Sequence, residues 1–251
     1  MQIRRLLLVL AAAALLPPAI SYAEILRVVY DEWPPYTGDS VPEKGFSTHL
    51  LVTALKNLGY GVSLTQLSAE DAEKGLIKGD YDLHPANWIT ERRQQFFDYS
   101  DPYLSNRLVI ISSTRRLKGF QDLTELKGVR VGLSKGYGHP DSIMRAAREF
   151  KAVETMDAKD SLQQLMDSKI DAYIGDSNVA RYLMVAQLQA GPGQCLYSAR
   201  SIEERALHIV CSKKYARHAE LIGALNSEIK KMKSNGEYDS ILKTHGLQPL
   251  Y

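Results

Sequence analysis

Apolar positions along this chain switch between two periods. Ile25 to Tyr30 is a short strand-like run. Gly45 to Leu58 carries Leu50, Leu51, Ala54, Leu55 and Leu58 at steps of three and four, one face of a helix, with Gly59 in place to end it. A strand follows at Gly61 to Leu67, a short helix at Ala69 to Ile77, and a third strand near Tyr81 to Leu83 after the Gly79-Asp80 turn. Leu108 to Ser112 is again β-rich.

The pattern then restarts. Val129 to Gly132 reads as a strand, followed by a glycine-rich loop, a helix from Pro140 to Phe150 and another from Asp160 to Ser168. Ile170 to Ile174 is a strand, and Asn178 to Gln189 a helix with Ala180, Leu183, Met184 and Leu188 on one face. Ala206 to Cys211 is the last strand, with closing helices at His218 to Ser234 and Tyr238 to His245. Alternating strands and helices predict an α/β fold with mainly parallel sheet. The second block reads as an insertion into the first, giving one lobe of 24–109 with 207–251 and another of 110–206. Two crossings, near Asn106 to Ile110 and Glu204 to Ile209, would form a two-strand hinge with the cleft between the lobes.

The N-terminus changes the picture of where the protein works. Arg4 and Arg5 precede an apolar core from Leu6 to Leu16, and Ser21-Tyr22-Ala23 offers small residues for cleavage, so 1–23 read as a secretory signal. That core is shorter than the about 20 apolar residues a membrane helix needs. Glu24, not cysteine, would follow the cut, so a soluble, unlipidated periplasmic monomer is expected. Cleavage would remove two of the 31 basic residues and leave 29 against 29 acidic ones. A chain of zero net charge without a basic cluster argues against a nucleic-acid partner. Cys195 and Cys211 are the only cysteines, and a disulfide between them is left open. The six histidines show no ligand spacing, so no metal and no cofactor are expected.

The candidate chemistry lies in three segments. Thr90-Glu91-Arg92-Arg93-Gln94-Gln95 precedes Phe97-Asp98-Tyr99-Ser100-Asp101-Pro102-Tyr103; Lys169 to Gly175 leads to Asp176; and Asp31-Glu32-Trp33-Pro34-Pro35-Tyr36 follows the first strand. Together with the closing stretch Met232 to Tyr238, these resemble the family 3 bacterial extracellular solute-binding proteins, the polar amino-acid receptors of ABC importers. The resemblance covers essentially all of the chain after the signal. It implies a periplasmic binding protein-like fold that captures an amino acid and passes it to an ABC permease, or docks on a membrane sensor or chemoreceptor. It also implies that Arg93 binds the ligand's carboxylate, that Asp176 takes its ammonium and that Trp33 walls its side chain. A guanidinium fork suits a carboxylate, and Asp176 stands where a strand meets a helix, equally the place of an N-cap.

The chain departs from the family pattern around this clamp. Asn87 and Trp88 stand where small hydroxyl residues are usual, with Asn87 able to offer an amide. Gly136-Tyr137 replaces a Gly-Thr loop, so Tyr137 would reach the ligand from farther out. Trp33, Trp88 and Tyr137 together hint at a flat or apolar ligand side chain.

Two enzyme readings compete. Gly132-Leu133-Ser134-Lys135-Gly136 is a literal Gly-x-Ser-x-Gly elbow between a strand and a helix, with His208, His218 and His245 as the late histidines a hydrolase would need. Cyclohexadienyl dehydratase is similar over the whole length, but its acid-base glutamate would fall at Val179, leaving the elimination without a general acid. The first motif is short enough to match by accident in a loop the binding-protein pattern already explains, and the second rival lacks its acid, so both favour a binder over an enzyme.

Overall fold

A computed structural model describes residues 24–115, 118–135, 137–191 and 193–247. The expected signal at 1–23 and Gly136 lie outside the described residues. In the first half, β1 (Ile25–Tyr30) is followed by α1 (Phe46–Asn57), β2 (Gly61–Gln66), α2 (Ala69–Lys78), β3 (Leu83–Asn87), α3 (Glu91–Gln94) and β4 (Phe97–Tyr99). The long strand β5 (Leu104–Ser113) leads to β6 (Arg130–Ser134), α4 (Asp141–Ala146), β7 (Lys151–Thr155), α5 (Ala158–Met166), β8 (Ala172–Asp176) and α6 (Ser177–Tyr182), which continues as a π-helical turn over Leu183–Gln187. After β9 (Cys195–Tyr197), the second long strand β10 (Glu203–Ser212) returns to the first half, where α7 (His218–Asn235) and α8 (Glu237–Thr244) close the chain.

Hydrogen bonding orders the strands β2-β1-β3-β10-β5-β8-β6-β7, with β4 on β10 and β9 on β5. Parallel ladders join β1 to β2 and β3, and β6 to β7 and β8. Antiparallel pairing of β10 with β5, from Glu203 opposite Leu108 to Leu207 opposite Leu104, connects the two halves. This is the two-lobed, two-strand-hinge architecture of the sequence reading.

Each half repeats one device. Arg27, near the start of β1, donates through Nε and Nη2 to Asp82 at 3.1 and 2.6 Å, and through Nη2 to the Gly79 carbonyl at 3.0 Å. Arg130, at the start of β6, does the same to Asp171 at 2.9 and 2.8 Å and to the Ser168 carbonyl at 3.0 Å. The backbone N–H of each aspartate returns to its arginine's carbonyl at 2.8 Å. Gly79 and Ser168 both take the left-handed conformation, at φ 87° and 60°, which turns the chain out of the preceding helix. These aspartates hold the strand entrances, so β3 and β8 begin at Leu83 and Ala172, later than their apolar runs suggest.

Neighbouring residues on β1 serve different faces. Val28 belongs to the main core with Phe46, Leu50, Leu51, Ala54 and Leu55 of α1, whereas Val29 packs with Ala72 and Leu76 of α2 and with Val210. The sheet is thereby covered on both sides, as parallel sheets are. Two expectations are corrected. α4 ends at Ala146 and not at Phe150, because Phe150 turns into the core at 6% exposure. The α-helix after Asp176 stops at Tyr182, beyond which the backbone widens to a π turn. The short edge strand β7 and three-residue β4 and β9 lack an apolar alternation that would announce them. Cys195 and Cys211 are both buried and unbridged.

Candidate functional site

A cleft of about 1140 Å³ opens between the halves, lined from one side by Trp33, Asn87, Trp88 and Arg93 and from the other by Tyr137 and Val179. The carboxyl ends of β1, β3, β6 and β8 face it, where parallel sheets bind ligands.

The Trp33 turn is built by its own backbone. The Trp33 carbonyl accepts the N–H groups of Tyr36 and Thr37, and the Trp33 N–H donates to the Thr37 carbonyl at 2.9 Å. The first N–H groups of α1, on Phe46 and Ser47, donate to the carbonyls of Pro35 and Tyr36 at 3.0 and 2.8 Å. The turn thus satisfies helix donors that would otherwise be orphaned. Gly45 makes this approach possible: it sits at φ 90°, and a Cβ there would fall 2.4 Å from the Tyr36 carbonyl oxygen.

Arg93 is placed by the threonine of its motif. The Thr90 hydroxyl accepts the Arg93 N–H at 3.2 Å and caps the four-residue helix α3. The Arg93 side chain is a quarter exposed, and its Nε and Nη2 both donate to Glu73 Oε2, at 2.9 and 2.8 Å. Arg92 points outward at 74% exposure and reaches the other Glu73 oxygen at 3.0 Å. Glu73 thus holds the side-on edge of the Arg93 fork. The Nη1 side of that fork has no hydrogen-bond partner among the described residues.

Asp176 lies elsewhere. It is fully buried and is not among the residues lining the cleft. Its Oδ1 accepts the N–H groups of Asn178 and Val179, both at 2.8 Å, and the Tyr36 hydroxyl at 3.1 Å. Oδ2 has no hydrogen-bond partner among the described residues. Burial pushes this carboxyl above its ordinary range, against the opposing pull of the helix amides and of Tyr36. Tyr36, also fully buried and with its phenol held well above the usual value by burial, ties Asp176 and the Asn178 amide to the first half. The N-cap role is therefore present in the structure, and the carboxylate stands behind the cleft wall.

That wall is aromatic. Trp33 meets Trp88 at a centroid distance of 5.5 Å and 84°, and Tyr137 at 6.2 Å and 88°. Trp88 and Tyr137 meet at 5.2 Å and 90°, and Tyr36 packs edge-on to Trp33 at 5.1 Å. Such edge-to-face pairs add about 0.5–1.5 kcal/mol beyond area burial. The Trp88 indole N–H donates to Asn106 Oδ1 on β5 at 2.7 Å, and the Arg205 guanidinium lies 5.2 Å over its ring. The Tyr137 hydroxyl accepts the Asp176 N–H at 3.2 Å, so it supports the wall from behind. Asn87 ends β3 in the cleft, and His84 of the same strand turns its Nε2 to Asp31 at 3.3 Å, both lining the cleft.

The structure thus brings Arg93, Trp33, Trp88, Asn87 and Tyr137 to one cleft and sets Asp176 behind it. Sequence reasoning missed Glu73, Tyr36 as a bridging residue, and Asn106. Tyr36 had a signal, the aromatic closing a Pro-Pro turn. Glu73 had only its place next to Ala72 on the buried edge of α2.

The nucleophile-elbow alternative is not supported by these contacts. Ser134 is buried, its hydroxyl is 3.1 Å from Ser161 Oγ, and His139 reaches its carbonyl rather than its hydroxyl. Of the late histidines, His208 bonds the Ser100 carbonyl, His218 pairs with Asp98 and His245 with His49. Among the described residues no group of three or more His, Cys, Asp or Glu is placed to hold a metal, and no helix is long and apolar enough to cross a membrane.

Comparison with known proteins places this geometry. Residues 26–248 match the family described as bacterial extracellular solute-binding proteins, family 3. An arginine-binding extracellular protein of Bacillus subtilis is 26% identical over 82% of this chain and 78% of its own length. Among solved structures, a histidine kinase sensor domain similar to periplasmic binding proteins superimposes with a TM-score of 0.77 at 19% identity, covering 90% of this chain and 99% of the other. An ancestral amino acid-binding protein, described as a precursor of cyclohexadienyl dehydratase, does so with 0.73 at 23% identity, over 87% and 94%.

Proposed function

We propose that this chain, which belongs to the bacterial extracellular solute-binding proteins of family 3, captures an amino acid in its cleft and delivers it to an ABC importer from the periplasm. The observation that carries this reading is Arg93. Glu73 fixes one edge of its guanidinium, which leaves the end-on edge of Nη1 and Nη2 to meet a carboxylate bidentately. A pre-oriented fork loses little freedom on binding. The arginine-binding relative supports an amino acid as ligand, and relatives that are mostly binders support a protein without covalent chemistry. Val179 supports the same side, since it puts a hydrocarbon where dehydratase chemistry would need an acid.

In this reading Trp33, Asn87, Trp88 and Tyr137 enclose the bound molecule, and Gly136, outside the described residues, is assigned to the ligand on the family resemblance alone. The lobes divide as 24–109 with 207–251 against 110–206, flexing on β5 and β10. Closure is favoured by contacts that cross the cleft, namely Tyr36 with Asp176 and Asn178, and the Tyr182 hydroxyl with the Ser40 carbonyl at 3.4 Å. Asp176 acts there as a latch residue.

Thermal denaturation of the purified protein against a panel of L-amino acids tests the reading. A true ligand at a hundredfold excess over its dissociation constant adds about 2.7 kcal/mol of stability and raises the melting temperature. Arg93→Ala abolishes the rise. Persistence of the rise in that variant, or silence across the panel and its N-methylated counterparts, overturns the assignment.

A further inference from the structure

The Asp176 carboxylate is not among the groups lining the cleft, and the wall there is built of three aromatic rings. Trp33, Trp88 and Tyr137 all line the cleft. Their planes are mutually perpendicular, at 84°, 88° and 90°, with centroids between 5.2 and 6.2 Å apart, so each ring meets the others edge to face at one corner of the cleft. Trp88 already receives one cation, the Arg205 guanidinium at 5.2 Å.

A primary ammonium leaving water must hand three N–H donors to acceptors. The three rings themselves offer few. The Trp88 N–H is a donor and offers an ammonium nothing, and the Tyr137 hydroxyl oxygen already accepts the Asp176 N–H. The Asp176 carboxylate lies behind Tyr36. A methylated or quaternary ammonium carries its charge without that demand. It gains from any aromatic face within about 6 Å of its centre. Charge balance is at hand in Asp31, two residues before Trp33, which lines the cleft and has His84 Nε2 as its partner at 3.3 Å.

We propose that the cationic centre of the ligand is a methylated or quaternary ammonium held against Trp33, Trp88 and Tyr137, on a molecule whose carboxylate goes to Arg93. This rests on the carboxylate assignment above and narrows the amine. The ligand is an N-methylated amino acid of the betaine class, recognised by π faces instead of hydrogen bonds from its ammonium.

Titration calorimetry on the full chain compares N,N,N-trimethylglycine with glycine, and Nε-trimethyl-lysine with lysine and arginine. The expected result is that at least one methylated probe binds about tenfold or more tighter than its unmethylated parent. Trp33→Ala and Tyr137→Ala remove that preference, while Trp33→Phe, which keeps a ring face, retains part of it and controls for folding. Equal or tighter binding of glycine, lysine or arginine that still needs Arg93 overturns the aromatic assignment and leaves the carboxylate reading standing. Preference for the methylated probe that survives both ring truncations also overturns it. Binding of no probe at all overturns the methylated-amine assignment, and the panel across all L-amino acids then decides the carboxylate reading.

Discussion

The two halves of this protein share a frame and differ in what they hang on it. Both order their strands with the first at the centre, the second outside and the third inside, and both staple the third strand's entrance with an arginine and an aspartate. Asn87 and Asp176 close the third strands at matching places, since Val28 pairs with Leu83 and Val131 with Ala172. On this common frame the first half builds a rigid turn against the twelve-residue α1, and the second half a short glycine-containing loop before the six-residue α4. The repeated parts serve stability, and in the proposed function the unlike parts serve recognition.

The loops give the sharpest way to break that distinction. Gly45→Ala is expected to cost about 3 kcal/mol, because a Cβ at φ 90° meets the Tyr36 carbonyl and pushes the Trp33 turn away. Gly138→Ala, at φ 65° with nothing within 4 Å, should cost only about 1 kcal/mol. Urea denaturation of both variants checks the pair. Equal losses would show that the two loops are equally supported.

The staples come next. Asp82 is 6% exposed at its side chain and Asp171 33%, although their bonds are alike. Asp82→Ala should lose about 2–3 kcal/mol, as a charged hydrogen-bonded group is removed from a buried place. Asp171→Ala should lose about 1 kcal/mol, because water screens the exposed pair. A larger loss at Asp171 would mean that the second half depends on its staple more than burial indicates.

The smallest effect concerns the matched strand ends. Burial raises the Asp176 carboxyl, so the folded protein holds that proton more firmly than the unfolded chain does, and its contribution to stability falls as pH rises through the raised value. Asp176→Asn keeps an N-cap acceptor and removes the titration. Melting curves should show the variant gaining on the parent at pH 7 and not at pH 4. A gain independent of pH would assign the effect to packing against Tyr36 and Tyr137.

How much of this was legible in the sequence follows the same division. β1, α1, β2, α2, α7 and α8 end within a few residues of where their periodicity puts them, because each lays an apolar face on one core. β7 was hidden because Lys151 to Glu154 face largely outward on a sheet edge, where no alternation is required. Arg93 was visible because Thr90, which positions it, is local. Glu73 was not, since it reaches Arg93 from twenty residues away, on a separate helix. The withdrawal of Asp176 depends on Tyr36, 140 residues earlier, a distance over which a sequence pattern carries no contact information.

The ladder between β5 and β10 also governs how often the two cleft walls meet. Five registered pairs bind the crossing strands to each other, so they form a ribbon and not two separate tethers. Such a ribbon resists splaying and yields mainly in twist. When the cleft is open, one wall is therefore kept at a high effective concentration for the other. On the proposed reading, re-encounter of the walls is a short torsional excursion, and a solute resting on Arg93 has only to wait for the next one.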